Sequence, residues 1–278
     1  MQKNLSPLAF YLSPKFRIIT QPIVLMKKRY YPIIFFVLLA FSSCFDVEER
    51  YDFKSDGACS VVYTFDMSSA ISVLKNLLPD SVKETPQFSM MKDTSLNFYS
   101  ALPDSDKQKL RPEDVAMAKT SNLSVKMDLK KNFMKVGITH LAQTPQDLQY
   151  YLQHLSKMPL NNQLTAVTSG QSTNGFNTQP LISGEDYYQY EITPHKFYRI
   201  IDKAKFAAFL KKTRSAFAMA KAMLIETPYK LVLNFTKPIK KVSNPKAIVS
   251  ADRKTVTLVT NMDDVIKNPS IMNLKVDF

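Results

Sequence analysis

Short segments of alternating apolar and polar residues recur in pairs along this chain, and this pattern limits the possible folds more than any other feature. In the first pair, Tyr51 and Phe53 alternate with charged residues before the turn at Asp56-Gly57. The segment after the turn is apolar on one face, at Cys59, Val61, Tyr63 and Phe65. Residues two apart share one face of a strand, and Asp-Gly between two such segments favours a hairpin. Helical spacing next predicts a helix through Met67, Ile71, Leu74 and Leu78.

The same order of two strands and a helix is predicted twice more. Residues 123–129 and 134–138 alternate on either side of Lys131-Asn132, and Thr144-Pro145 then provides an N-cap and a first-turn proline for a helix. Residues 188–192 and 197–201 form the third pair, followed by the longest predicted helix, about 202–225. We expect shared topology in these units, because no residue-level repeat accompanies the pattern.

The end of the chain alternates again. Strands are predicted at 229–235, 247–250, 255–260 and 272–278, with a short helix at 262–267. We therefore predict an α+β fold of antiparallel β-hairpins, each followed by a helix, with the helices packed on one face of the sheet. This domain spans 51–278, either as one body or as two subdomains, 51–157 and 185–278, joined by an uncharged loop at 158–184.

Two stretches lack a regular pattern. Residues 79–112 are polar and contain four prolines, which predicts a surface excursion with short helical turns. Residues 158–184 carry no charge and hold three of the five glycines. Loops of this length are usually functional or disordered, so we expect either a disordered loop or a flap beside a ligand cavity.

A secretory signal peptide is predicted at 26–43. Met26 opens three basic residues, a run from Ile33 to Phe41 contains no polar residue, and Ser42-Ser43 precede Cys44. This order of charged, apolar and small residues is typical of signal peptides, and the run is shorter than the about 20 residues that a spanning helix needs. Residues 1–25 precede a complete signal peptide and are excluded from the fold prediction.

Cys44, placed directly after the small residues, resembles the lipobox of bacterial lipoproteins, although Phe41 stands where Leu is usual. The resemblance implies cleavage before Cys44, its acylation, and a tether at 44–50. Acidic residues behind it, at Asp46, Glu48 and Glu49, resemble the export tag of outer-membrane lipoproteins. We expect attachment to the outer membrane, at its periplasmic face or at the cell surface. A solvated strand start explains the acidic residues equally well.

Common catalytic and cofactor motifs are absent from the sequence. It contains no G-x-G-x-x-G, no phosphate loop, no H-E-x-x-H, no paired C-x-x-C and no G-x-S-x-G. His140, His154 and His195 are far apart in sequence, and His140 falls on the apolar face of a predicted strand. Cys59, the cysteine left after lipidation, is expected to be buried and inert. Asp263-Asp264 is expected to cap a helix and to place negative charge at its N-terminus. We predict no metal, no cofactor and no enzymatic activity.

Positive charge is concentrated in the last third of the chain. The net charge is +13, and residues 195–278 hold 17 Lys and Arg against 6 Asp and Glu. The long helix has an apolar stripe through Phe206, Phe209 and Thr213, with Lys205, Lys211 and Lys212 mainly off it. Core packing of the stripe is the favoured interpretation, and a helix resting on an anionic membrane is the alternative.

The basic region points to an anionic partner. Lys237, Lys240 and Lys241 follow the long helix and are predicted as ligand-binding residues, because clustered charge attracts anions over long range. Lipid phosphate, an acidic glycan or an acidic protein surface are the candidates. Nucleic acid is not expected, since an exported protein seldom meets it and no aromatic-interleaved recognition motif is present.

Residues 242–257, together with Asp56-Gly57, resemble bacterial lipoproteins with an LppM-type domain. The resemblance covers the first hairpin and about the last fifty residues, and a Trp common in that family is absent here. It implies an α+β domain beside the membrane that binds lipid or glycolipid. Two hypotheses lead: a non-enzymatic, lipid-anchored module that binds an amphipathic or anionic envelope ligand, or a structural subunit of an outer-membrane protein complex. An enzyme ranks third, since it would require His140, His154 or His195 to converge with carboxylates in a cleft.

Overall fold

The computed structural model describes residues 46–158, 187–222 and 228–278. All of them belong to one compact unit, Ser42–Phe278. The predicted signal peptide at 26–43, the predicted lipidation site Cys44 and residues 159–184 of the uncharged segment lie outside the described residues.

Twelve strands are described. They are β1 (Asp46–Phe53), β2 (Cys59–Asp66), β3 (Met91–Asn97), β4 (Ser121–Asp128), β5 (Phe133–Ala142), β6 (Tyr188–Thr193), β7 (Lys196–Ile201), β8 (Pro228–Asn234), β9 (Lys241–Val242), β10 (Ile248–Val249), β11 (Thr255–Asn261) and β12 (Leu274–Asp277). The helices are α1 (Ser68–Leu77), α2 (Asp80–Lys83), α3 (Phe98–Ala101), α4 (Asp104–Lys107), α5 (Pro112–Lys119), α6 (Pro145–His154), α7 (Lys203–Ala222) and α8 (Met262–Lys267). Within the described ranges, three 3₁₀ turns cover Pro86–Ser89, Leu155–Lys157 and Pro269–Met272.

The predicted hairpins and the helices that follow them are confirmed. β1 pairs with β2, β4 with β5 and β6 with β7, each antiparallel, and α1, α6 and α7 follow. Gly57 in the first turn has a φ of 91°, a backbone conformation that favours glycine. At the start of α6, Thr144 Oγ1 accepts a hydrogen bond from the Asp147 amide at 3.1 Å, and the Asp147 carboxylate accepts one from the Thr144 amide. This reciprocal cap fixes where the helix begins.

These units build two sheets rather than one. The larger sheet has eight strands in the order β10-β11-β8-β1-β2-β5-β4-β3, and the smaller has four in the order β6-β7-β12-β9. β1 and β8 are parallel, with Val47 opposite Tyr229, whereas the other pairs among the described strands are antiparallel. β8, from the last third of the chain, therefore lies beside β1, and the larger sheet takes strands from both sides of the uncharged segment.

One face of the larger sheet is covered by other elements. The combination of mainly antiparallel sheets with helices confirms the predicted α+β class. The covered face of the larger sheet holds every second residue of the central strands, for example Tyr51, Val61, Ile138 and Leu231, all buried. Helices cover part of this face. The smaller sheet covers another part, through ring contacts such as Tyr51 to Phe197 at 5.3 Å between centroids. The opposite face is half-buried or exposed along these strands, apart from the buried Val232.

A buried ion pair joins the two sheets. Arg199 of β7 and Glu49 of β1 are almost fully inaccessible, and Arg199 Nη1 donates to Glu49 Oε2 at 2.8 Å. Arg199 Nη1 also donates to Tyr229 Oη at 2.6 Å, and Tyr51 Oη donates to Glu49 Oε2 at 3.1 Å. These contacts hold β7 over β1 and β8.

The prediction for residues 79–112 was wrong in part. Short helical turns are present there, but β3 also forms and pairs with β4 along its whole length, from Met91 opposite Asp128 to Asn97 opposite Asn122. β3 is an edge strand among the described strands. Its side chains are exposed or half-buried, and apolar residues do not alternate with polar ones along it. An edge strand without an apolar alternation gives no periodic signal, which explains why it was missed.

Candidate functional site

An open cavity of about 660 Å³ lies between α6, β6 and α7. Its volume is in the range of small-ligand sites. The described residues that line it are Gln153, His154, Lys157, Tyr187, Tyr188, Gln189, Tyr190, Lys205, Ala208, Phe209 and Lys212. They include three lysines and four aromatic side chains and no carboxylate.

One stripe of α7 forms the basic wall of the cavity. Lys205, Ala208, Phe209 and Lys212 are spaced by three and four residues, so they lie on one side of the helix. Both lysines are exposed. They lie two helical turns apart, which presents two positive charges along the cavity with an apolar surface between them.

Asp202 fixes the start of α7 beside β6. Its Oδ1 accepts hydrogen bonds from the amides of Ala204 and Lys205 at 3.0 and 3.1 Å, which is an N-cap arrangement. These amides, the Lys205 amide first, lower the pKa of Asp202 and keep it charged. The Asp202 amide donates to the Tyr187 carbonyl at 2.7 Å, and Gln189 Nε2 donates to Asp202 Oδ2 at 3.3 Å. The position of Lys205 relative to β6 is therefore set by backbone contacts.

Aromatic side chains form the apolar wall. Tyr187 is buried, and its ring packs against Phe206 at 4.9 Å and Phe209 at 5.0 Å between centroids. Burial raises the pKa of Tyr187 well above its ordinary value, so the ring stays neutral. Tyr188 and Tyr190 are also buried, with centroids 6.0 Å apart. The wall offers flat apolar surface suited to a hydrocarbon chain or a ring.

The end of α6 supplies the third side of the cavity. His154 Nδ1 lies 2.9 Å from the Tyr150 carbonyl oxygen, and because a carbonyl only accepts, Nδ1 carries the proton. The two rings stack with centroids 4.0 Å apart. Tyr150 Oη in turn donates to Asp114 Oδ1 at 2.6 Å, which ties this end of α6 to α5. His154 is thus held at the cavity edge, and Lys157 follows it in the next 3₁₀ turn.

The cavity lies towards the end of the larger sheet at which β1 begins. The guanidinium carbon of Arg199 is 4.4 Å from the ring centroid of Tyr188 and 5.5 Å from that of Tyr229. Tyr229 is opposite Val47, the second residue of β1. Two side-chain contacts therefore connect the cavity wall to the start of β1.

The structure does not place the predicted lysines in this cavity. Lys237 and Lys240 are exposed in the connection from β8 to β9, and Lys241 is the first residue of β9. β9 and β6 are at opposite edges of the smaller sheet. Lys240 Nζ donates to the Phe278 carbonyl oxygen at 3.3 Å. The lysines of the cavity come instead from α7 and from the 3₁₀ turn that follows α6.

The structure also shows where Cys59 and the predicted histidines His140 and His195 lie. Cys59 is buried, as predicted, and desolvation raises the pKa of its thiol, which disfavours the reactive thiolate. His140 is buried on the covered face of β5, stacked on Tyr151 at 3.9 Å, with its Nδ1 2.9 Å from Ser121 Oγ. His195 lies in the turn between β6 and β7. Within the described ranges, no group of three or more His, Cys, Asp or Glu side chains is placed to hold a metal ion.

Asp263 and Asp264 occupy the first turn of α8, as predicted. Asn261 caps this helix, since its Oδ1 accepts from the Asp263 amide at 3.0 Å. Core packing of the long helix is observed at Phe206 and Thr213, which are buried, whereas Phe209 of the same predicted stripe is half-buried and lines the cavity.

None of the helices among the described residues is both long and apolar enough to span a bilayer. No protein-family model, curated protein or solved structure matches this chain. Function is therefore inferred from the chemistry of the cavity and from the sequence motifs.

Sequence reasoning missed the cavity because it is assembled from three elements that are distant in the chain. The signal that existed was the seven-residue spacing of Lys205 and Lys212, together with the clustered Tyr187, Tyr188 and Tyr190. Neither pattern identifies a site until α6, β6 and α7 are brought together.

Proposed function

We propose that this chain is a lipid-anchored protein of the bacterial cell envelope, held at the outer membrane through Cys44. It acts as a non-enzymatic module that binds an anionic amphipathic ligand in the cavity between α6, β6 and α7. The anchor is supported by the signal peptide and lipobox pattern that ends at Cys44.

The observation that carries the binding function is the composition of the cavity walls. Lys157, Lys205 and Lys212 offer three cationic groups. No carboxylate is among the described residues that line the cavity, and the Asp202 carboxylate at the start of α7 interacts with one of the three lysines, Lys205. Tyr187 and Phe209 provide apolar surface beside them. An anionic head group with an apolar tail satisfies both features at once, whereas a purely apolar ligand would make no contact of opposite charge with the lysines.

Reversing the charges of Lys205 and Lys212 on α7 tests this binding function. We compare the wild-type protein with Lys205→Glu/Lys212→Glu and measure binding of lysophosphatidylglycerol and of zwitterionic lysophosphatidylcholine by calorimetry. Partly exposed charge pairs contribute up to about 1 kcal/mol each. Reversal turns attraction into repulsion, so the affinity for the anionic lipid should fall at least about tenfold.

The matched control is Lys237→Glu/Lys240→Glu/Lys241→Glu, which reverses three exposed charges away from the cavity. If the α7 variant binds like wild type and the control loses binding, the ligand lies at the lysines predicted from the sequence. Binding equal for both lipids would refute an anionic site.

A structural subunit of an outer-membrane protein complex is the second candidate. The observation in its favour is the edge of the larger sheet at β10, where Ile248 is 68% exposed. Among the described strands β10 is an edge strand, and an edge strand with an exposed apolar side chain can pair with another protein's strand. Replacing Ile248 by Lys should then abolish crosslinking to a partner in intact membranes, while ligand binding persists.

A further inference from the structure

Helix α1 is amphipathic, and none of its ten residues is buried. Leu74 and Leu77 are three residues apart and therefore share a face. They are 36% and 63% exposed. A helix in a water-soluble domain normally buries its apolar stripe, so two exposed leucines on one face of this helix form a candidate contact surface.

The contacts of α1 place it at one end of the larger sheet. At its start, the Met67 amide donates to the Met134 carbonyl at 2.8 Å, and Ser68 Oγ accepts from the Met134 amide at 3.1 Å. In its last turn, Lys75 Nζ donates to the Leu129 carbonyl at 3.1 Å. Met134 begins β5 and Leu129 follows β4, so α1 lies along the tip of the β4–β5 hairpin.

Met91 adds a third apolar side chain at this end. It is the first residue of β3, is 77% exposed, and is opposite Asp128. The Leu129 amide donates to the Met90 carbonyl at 3.1 Å, so Leu129 connects the start of β3 with the end of α1. We call Leu74, Leu77 and Met91 the apolar tip. These residues are three of the seven large hydrophobic side chains that are exposed in the described part of the chain.

This is also the end at which β1 begins. Asp46 is opposite Asp66 in β2, and Asp66 is opposite Lys135 in β5, one residue from Met134. Cys44 precedes Asp46 by two residues, and two residues of extended chain span at most about 7 Å. An acylated Cys44 would therefore bring the bilayer surface close to this end of the sheet and to no other.

We propose that the apolar tip is the membrane-contacting surface of the domain, and that Leu74, Leu77 and Met91 insert into the interfacial region of the phospholipid bilayer. This inference rests on the proposed lipidation of Cys44. Membrane-surface helices bind through an exposed apolar face in this way.

Apolar contact rather than charge drives this insertion. Lys131 is paired with Asp128 at 3.1 Å, and Lys135 with Asp66 at 2.8 Å, so two of the lysines here are already matched by carboxylates. Lys75 is directed to backbone carbonyls. Contact should consequently persist at high salt, unlike the binding of an anionic ligand in the cavity.

Tryptophan fluorescence tests the proposal, because the chain contains no Trp. The acylated protein carrying Leu77→Trp is reconstituted in phosphatidylethanolamine and phosphatidylglycerol vesicles that contain a brominated lipid. The control is Leu141→Trp, another exposed leucine, opposite Ser60 at the far end of β5. Met91→Trp serves as a second reporter where Leu77→Trp fails to fold.

The expected result is a blue-shifted emission and strong bromine quenching for Leu77→Trp and Met91→Trp, with neither change for Leu141→Trp, at low and high salt. Intact mass and co-sedimentation with vesicles report the anchor separately. Acylated protein that sediments with vesicles but shows water-like emission at both reporters would overturn the membrane contact and leave the anchor standing. Protein that carries no acyl chain and does not sediment would overturn both.

Discussion

Arg199 Nη1 lies 2.8 Å from Glu49 Oε2, and both side chains are almost completely inaccessible to solvent. The two residues are separated by 150 positions in the chain and belong to different sheets. The ion pair therefore connects the wall of the cavity, through Tyr188, to the centre of the larger sheet.

Breaking this ion pair should destabilise the fold strongly. In Arg199→Met, the Glu49 carboxylate stays buried without its counter-charge, which costs about 3 to 5 kcal/mol. Glu49→Gln/Arg199→Met removes both charges and should recover a large part of the loss. Urea unfolding followed by circular dichroism measures both variants. A single variant as stable as wild type would mean that the pair does not hold the sheets together.

Acid should weaken the fold through His140. Burial lowers the pKa of His140 to about 4 in the folded protein, whereas an ordinary His has a pKa near 6.5. The unfolded chain thus takes up a proton first, so this contribution to stability is complete above about pH 6.5 and declines as the pH falls towards 4. The loss amounts to about 3 kcal/mol.

The control for the pH effect is His140→Gln, which keeps a polar side chain but does not titrate. Its unfolding free energy should vary much less than that of wild type between pH 6.5 and pH 4.5, as measured by urea unfolding at each pH. Parallel pH profiles for the two proteins would show that another group is responsible.

The first hairpin should depend on glycine at position 57. Gly57 has a φ of 91°, and an added Cβ would have room, with its nearest neighbour, Pro145 Cδ, 3.8 Å away. Backbone conformation alone therefore sets the cost of Gly57→Ala, which we expect to be about 1 to 2 kcal/mol. Gly57→Asn should cost less, because Asn tolerates positive φ better. Equal thermal stability of the two variants would contradict this explanation.

A reporter on α7 should detect ligand entry into the cavity. Ala208 lines the cavity, whereas Ala207 is not among the lining residues; both are exposed. In the Trp-free chain, Ala208→Trp emission should shift to shorter wavelength when lysophosphatidylglycerol is added, because the lipid excludes water from the indole. Ala207→Trp, about 100° around the helix, should not respond. A response of the same size from both positions would indicate nonspecific adsorption to α7.

Local features of the fold were predictable from the sequence, and long-range ones were not. The hairpins follow from alternation and from turns such as the one at Gly57, because both signals lie within a few residues. The parallel pairing of β1 with β8 has no such signal, since several strands here have the same alternation and any of them satisfies the pattern. The contact of Arg199 with Glu49 depends on this pairing and on the placement of the second sheet, so this contact could not be predicted from the sequence either.

The lysines illustrate the same limit for the site. The density of positive charge along the chain led to the prediction of Lys237, Lys240 and Lys241, which lie within five consecutive positions. Lys157 and Lys205 are 48 positions apart in the chain, and they share a cavity only because α6 and α7 both pack beside β6. Sequence proximity is a poor guide to a site that three separate elements build.

The most direct test of the central claim is native mass spectrometry of the purified protein, delipidated and then exposed to an envelope lipid extract. Our account predicts a one-to-one adduct with an anionic amphiphile, which is lost in Lys205→Glu/Lys212→Glu and kept in Lys237→Glu/Lys240→Glu/Lys241→Glu. A protein that shows only its ligand-free mass after exposure to the extract would contradict the proposed binding function.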